Sequence, residues 1–165
     1  MRRLQAAAFS ATLCLAAAGA AAEPMTLDVV LSPKDEIRLA FESDGRHSLS
    51  LTHREGSAAG SGIFAGATVA EYGMHDVTGG EGGEAAGYLQ ATTAGGDIAY
   101  IKWRLRALFA AGPDGKAKVI NGGHWELAGG TGQFAALRGV GTLAIEFPSK
   151  TERRYILQGD LSPAL

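Results

Sequence analysis

Cysteine is nearly absent from this sequence. Cys14 stands alone among 165 residues, so no disulfide can close within the chain and the cysteine-based zinc arrangements are not expected. Long apolar runs are absent too. The longest, from about Ala6 to Ala18 in MRRLQAAAFSATLCLAAAGAAAEP, falls short of the ~20 residues a membrane span needs. Basic tracts are also lacking, which argues against nucleic acid and anionic membrane surfaces as partners. Catalytic spacings are equally scarce. His47, His53, His75 and His124 form no H-x-H or H-E-x-x-H pattern, and His47 and His53 on one extended strand would lie about 20 Å apart at ~3.4 Å per residue. No metal site is expected. The loop GSAAGSG is not a G-x-S-x-G nucleophile elbow, and Asp28, Glu42 and Glu146 are scattered rather than paired.

What is present begins with the amino terminus. Arg2 and Arg3, the apolar stretch behind them, and the small residues Ala20 and Ala22 have the anatomy of a secretory signal peptide cut before Glu23. Residues 1–22 are therefore read as a leader, and residues 23–165 as one domain with chain enough for a core. Leu13 precedes Cys14 where a lipoprotein signal wants a small residue, so the mature chain is expected without lipid or thiol, periplasmic or secreted, and not inserted in the membrane. Losing Arg2 and Arg3 moves the formal net charge from −2 to −4.

Glycine is abundant, 24 of 165 residues against a typical ~7%, which predicts many turns and few long helices. Alternating segments separated by Gly, Asp and Pro recur along the chain, the pattern of an all-β domain. MTLDVVLS reads as a first strand ended by Pro33. EIRLAFESDG sets Ile37, Leu39 and Phe41 against Arg38, Ala40 and Glu42, and RHSLSLTH sets Leu49 and Leu51 against Ser48, Ser50 and Thr52; the pair reads as a hairpin turning at Asp44-Gly45. The clearest strand is DIAYIKWRLRALF, with Ala99, Ile101, Trp103, Leu105, Ala107 and Phe109 on one face and Lys102, Arg104 and Arg106 on the other. GPDGK is a turn by composition. About eight or nine strands result, which points to a closed barrel or a sandwich.

WELAGGTGQFAALRGVGTL contains, from Gly130, the G-x-G-x-x-A spacing of a dinucleotide turn. That fingerprint needs a long helix after its glycines, aimed at pyrophosphate. Only QFAALR follows before Gly139, and TLAIEF then reads as a strand, so the glycines are read as structural, with Phe134 and Leu137 plugging one end of the core from a short helical turn.

The same residues carry a family resemblance. GGTGQFAALRGVGTL is similar to the Gly-Gly-Thr-Gly-x-Phe-x-x-x-Arg-Gly segment of dirigent proteins and to the glycine-rich turn of allene oxide cyclases, matching at Gly129, Gly130, Thr131, Gly132, Phe134, Arg138 and Gly139. Upstream, GGEAAGYLQATT resembles the Gly-Arg-Ala-Gln-Gly stretch of dirigents, with Glu84 in place of the arginine and Ala86 of the glutamine. The resemblance implies an eight-stranded antiparallel β-barrel of calycin-like shape, often trimeric. It also implies a lumen that holds a small hydrophobic molecule and steers its cyclisation or coupling with no metal or organic cofactor. Candidate polar groups are Glu71, His75, Glu126 and Arg138, and candidate wall residues are Tyr72, Tyr88, Trp103 and Trp125. Arg138 matches the family pattern directly. Dirigents carry an acidic residue a few positions before the glycines; here Glu126 is out of register and His124 sits nearer that place.

Each candidate has a structural alternative. Arg138 can serve nearby carbonyls, Trp103 and Trp125 can be core, and Glu126, next to Trp125 on a strand, should face away from it. Three readings follow: a binder of a small apolar ligand, a cofactor-free cyclase or coupling-control protein, and a structural or interaction module with a packed interior. Binding is preferred over catalysis because no acid–base pair stands at a persuasive spacing.

Overall fold

The computed structural model describes residues 22–41 and 45–164; the expected leader, with Cys14, lies outside them up to residue 21. Eight strands follow one another: β1 Glu23–Ala40, β2 His47–Ala59, β3 Thr68–Thr78, β4 Gly82–Thr92, β5 Ile98–Ala111, β6 Ala117–Gly130, β7 Leu137–Glu146 and β8 Arg153–Pro163. Each pairs antiparallel with the next, and β8 returns to pair with β1, which closes the barrel. Closure leaves no sheet edge over most of the circumference.

Alternation decides the faces. On β5 the apolar series Ala99, Ile101, Trp103 and Leu105 is buried, while the basic series faces out. There Lys102 Nζ meets Glu126 at 3.1 Å and Arg106 Nη1 meets Glu84 at 3.4 Å. Leu27, Val29, Leu31, Val69, Leu89 and Leu157 complete the apolar interior of one half of the barrel.

That half is plugged. Phe64, from the β2–β3 connection, and Phe134, from a single 3-10 turn at Gly132–Phe134, are both buried and stack with ring centroids 5.3 Å apart. The turn is tied to the β4–β5 connection: Gln133 N–H donates to Asp97 Oδ2 at 3.2 Å, and Ile98 N–H donates to Thr131 Oγ1 at 2.9 Å. Gly132 has φ +51°, and the Asp97 carboxylate fills the space a Cβ would take. Strand, one short turn, strand is therefore the structure of the Gly-Gly-Thr-Gly segment, with no crossover helix.

β1 does not end at Pro33 as the sequence suggested. Pro33 pairs with Arg54 and Asp35 with His53, leaving Lys34 as a bulge, and the strand runs on to Ala40. Past Leu31, β1 has lost β8 as a neighbour and pairs with β2 alone, an edge where a missing N–H is tolerated. The bulge also changes parity. Met25, Leu27, Val29 and Leu31 point inward, but beyond it Glu36 and Arg38 face the lumen while Ile37 and Leu39 stand outside.

The β6–β7 seam is short. Backbone pairing covers Gly123–Glu126 against Val140–Leu143. Beyond it the Asn121 amide stands in for a peptide unit: its Nδ2 donates to Ile145 O at 2.7 Å, and its Oδ1 accepts from Ile145 N–H at 2.9 Å.

Candidate functional site

The end of the barrel opposite the plug is open. Its lumen encloses about 400 Å³, at the small end of the range for ligand pockets. The lining divides into two walls. Around β1, β2, β3 and β8 it is polar, with Glu36, Arg38, Ser48, Ser50, Thr52, Arg54, His75 and Arg153. Around β5, β6 and β7 it is apolar, with Leu105, Ala107, Phe109, Val119 and Ile145, continued by Phe147. The first wall exists because the β2 alternation is inverted relative to solvent: Ser48, Ser50, Thr52 and Arg54 are buried, and Leu51 is about half exposed.

At the floor of the lumen lies a buried ionic cluster. Arg54 and Glu71 are cross-strand partners on β2 and β3, and Arg54 Nη1 donates to Glu71 Oε2 at 2.7 Å. His75, four residues on, brings Nε2 within 2.9 Å of Glu71 Oε1. Thr52 Oγ1 accepts from Arg54 Nη1 at 2.8 Å. Gly73 makes this geometry fit, since a Cβ there would collide with Glu71, His75 and Trp103. The Glu71 side chain is fully buried. Burial pushes its carboxyl upward, but the hydrogen bond and charge of His75 and the charge of Arg54 outweigh that and hold it below the ordinary carboxylate range.

Trp103 and Tyr155 form the layer beneath, ring centroids 5.5 Å apart and edge to face. The Tyr155 hydroxyl lies close to Glu71 but outside hydrogen-bond geometry, and burial followed by that carboxylate pushes its pKa well above 10. Tyr155 and Arg54 both line the lumen, and each keeps one buried donor, the hydroxyl and Nε, without a partner. At the rim, Arg153 stacks on Phe147 with Cζ 4.8 Å from the ring centroid. Its Nη1 donates to the carbonyls of Glu152 at 2.7 Å and Lys150 at 3.3 Å. Burial, then repulsion from Arg54, lowers its pKa from the usual arginine value.

No protein-family model and no curated protein matches the chain. Among solved structures it is similar to a protein of unknown function from the DUF3224 family of Shewanella oneidensis MR-1. The identity is 17% and the TM-score 0.48, over 87% of this chain and all of that one. That likeness carries no argument about function; the barrel rests on its own strand pairing.

The sequence candidates now separate. Glu71 and His75 meet at the lumen floor. Trp103 and Trp125 are buried core, Trp125 with Nε1 donating to Gln158 O at 3.1 Å. Tyr72 and Tyr88 pair with each other across β3 and β4 on the outer face, 54% and 44% exposed. Neither lines the lumen, because each is one residue out of phase with the inward series. Glu126 is likewise outside, beside Lys102. Arg138 bonds the carbonyl of Leu137 at 2.7 Å on the surface. Among the described residues no group of three or more His, Cys, Asp or Glu could hold a metal.

Arg54, Thr52, Tyr155 and Arg153 were not singled out by sequence. Arg54 and Glu71 are 17 positions apart, and only the β2–β3 register joins them. The regular alternation of Ser48, Ser50, Thr52 and Arg54 was the available signal; its direction was not.

Proposed function

We propose that the protein is an exported barrel, resembling the calycin-like allene oxide cyclases and dirigent proteins, that binds one small, largely apolar molecule in its lumen. The observation that carries this reading is the half-filled barrel. One end is packed and plugged, while the other keeps about 400 Å³ open behind a continuous apolar wall. A module with a purely structural interior would bury Phe109 and Val119 against the already buried Leu105 and Ile145, since interiors pack to high density. Instead Phe109 is 37% exposed, facing the opening.

A second reading, catalysis without a cofactor, draws on the Glu71–His75 pair. His75 reaches from a buried carboxylate to the lumen surface, the arrangement a proton-transfer group needs. Native mass spectrometry of the mature chain from Glu23, isolated from its own host without detergent, tests the first reading. The expected result is an added mass of a few hundred daltons lost on denaturation. A clean apo mass, with no uptake from a panel of apolar metabolites, overturns both readings. Turnover of the captured molecule, abolished in Glu71→Gln while that folded variant still retains the added mass, would establish the second.

A further inference from the structure

We propose that the exposed edge of β1 pairs antiparallel with the same edge of a second copy of this chain, Glu36 of each copy lying opposite Arg38 of the other. This is independent of what the lumen holds. It begins with a difference in strand length. The β7–β8 hairpin ends early, so the ladder between β1 and β8 stops at Leu31 and Arg153, while β1 runs on to Ala40. From Ser32 to Ala40 the strand has β2 on one side and, among the described residues, no strand on the other. Every residue of that stretch is exposed.

Alternation fixes which peptide groups are free. Phe41 N–H donates to His47 O at 3.0 Å. Counting back by twos, Leu39 and Ile37 turn their peptide groups towards β2, and Ala40, Arg38 and Glu36 turn theirs away. A row of N–H and C=O groups at that spacing is matched by another extended backbone. Bare edges are ordinarily guarded, and β1 carries three of the usual guards: Pro33, the bulge at Lys34, and charged side chains on the inner face.

Those inner charges select one pairing. Because the free groups lie on even-numbered residues, two copies related by a two-fold axis can pair only at registers two residues apart. Centred on Arg38, the pairing sets Arg38 against the partner's Arg38, and centred on Glu36 it sets Glu36 against the partner's Glu36; like charges directly opposite destabilise a sheet. Centred on Leu39, it leaves both charges unmatched. Centred on Ile37, it sets Glu36 against the partner's Arg38 and Arg38 against the partner's Glu36, two ion pairs from one symmetry operation. Both charges are available: Glu36 accepts the Ser50 hydroxyl at 2.7 Å, Arg38 reaches the Gly45 carbonyl at 3.4 Å, and among the described residues neither has an ion-pair partner. On the outer face the same register lays Ile37 beside the partner's Ile37. Ile37 is the cross-strand neighbour of Leu51, so an apolar row continues across the axis. About four backbone hydrogen bonds over so short an edge hold weakly, and that row adds to them.

Single-cysteine variants test the register, since the mature chain from Glu23 has no cysteine of its own. In this pairing the two copies of residue 37 lie about 4.5 Å apart at Cα, within disulfide reach, whereas the two copies of residue 39 are offset by about 14 Å along the strands. Under mild oxidation Ile37→Cys should form covalent dimer about tenfold or more faster than Leu39→Cys. Adding Glu36→Lys to Ile37→Cys sets like charges opposite each other and should slow the reaction about tenfold; adding Arg38→Glu as well should restore it. Equal rates at the two positions, faster dimer formation by Leu39→Cys, or no dimer from either overturns the pairing. A rate unmoved by Glu36→Lys, or not restored by the double reversal, overturns the role of the charges in choosing it. The comparison of the two cysteine positions stands even if a charge variant fails to fold.

Discussion

Glu71 is the residue on which the open half of the barrel depends. A fully buried carboxylate is tolerable only if its charge is met, and Arg54, His75 and Thr52 meet it from two strands. Removing one partner of a buried pair costs far more than the pair's net worth, because the other charge stays in low dielectric. Glu71→Gln should therefore destabilise the fold by about 3 kcal/mol at pH 7, read from urea unfolding. The pH dependence follows from the lowered carboxyl. Its stabilisation is fully present above the unfolded-state value of about 4.3 and is lost as pH falls through the lower folded-state value. The gap between the unaltered protein and Glu71→Gln should thus be constant near neutrality and close in acid. A gap that persists undiminished at the most acid pH at which both chains still fold would show that the charge of Glu71 is not its source. Asp28, lowered chiefly by its hydrogen bond from Arg154, adds an acid-sensitive contribution that remains in the variant.

Among the elements, β1 and β6 show what sequence periodicity conveys and what it misses. The odd-numbered apolar series runs from Met25 through Leu31 and resumes at Ile37 and Leu39, one phase throughout. A bulge at Lys34 breaks that phase in space, and no side-chain pattern announces it. β6 departs differently: its ladder with β7 stops at Gly123, and a side-chain amide continues it. Asn121→Ala would leave the Ile145 N–H and C=O without protein partners, at a cost of about 1–3 kcal/mol if they stay dry. Native-state hydrogen exchange should show the Ile145 amide losing protection, with the β4–β5 ladder unchanged. Unaltered exchange at Ile145 would mean that the amide bridge does not hold this seam closed.

Over the whole molecule, the inversion of β1 and β2 puts apolar side chains on the outside. Ile37, Leu51 and Met74 are cross-strand neighbours on the outer face, with exposures of 74%, 52% and 47%, and Tyr72 and Tyr88 adjoin them. A contiguous apolar surface of this kind marks an interaction site more often than bare solvent. We propose that a second copy of this chain covers it. Sedimentation of the mature protein should give an oligomer that Leu51→Arg reduces to monomer with the barrel intact by circular dichroism. A monomer at every concentration would overturn the proposal.

The sequence by itself determined the strand count to within one, the hairpin of β1 with β2, the turn at Gly112–Lys116 and the plug at Phe134, because each is written in local alternation, turn chemistry or spacing. It nominated Glu71 and His75 without joining them. Tertiary structure alone decided which face of β1 and β2 looks inward, that Tyr72 and Tyr88 stand outside, and that Arg54, Tyr155 and Arg153 border the lumen. The physical reason is that alternation defines two faces without orienting them. A closed barrel with a one-residue bulge and a fixed register assigns each face a side, and brings residues far apart in the chain into contact.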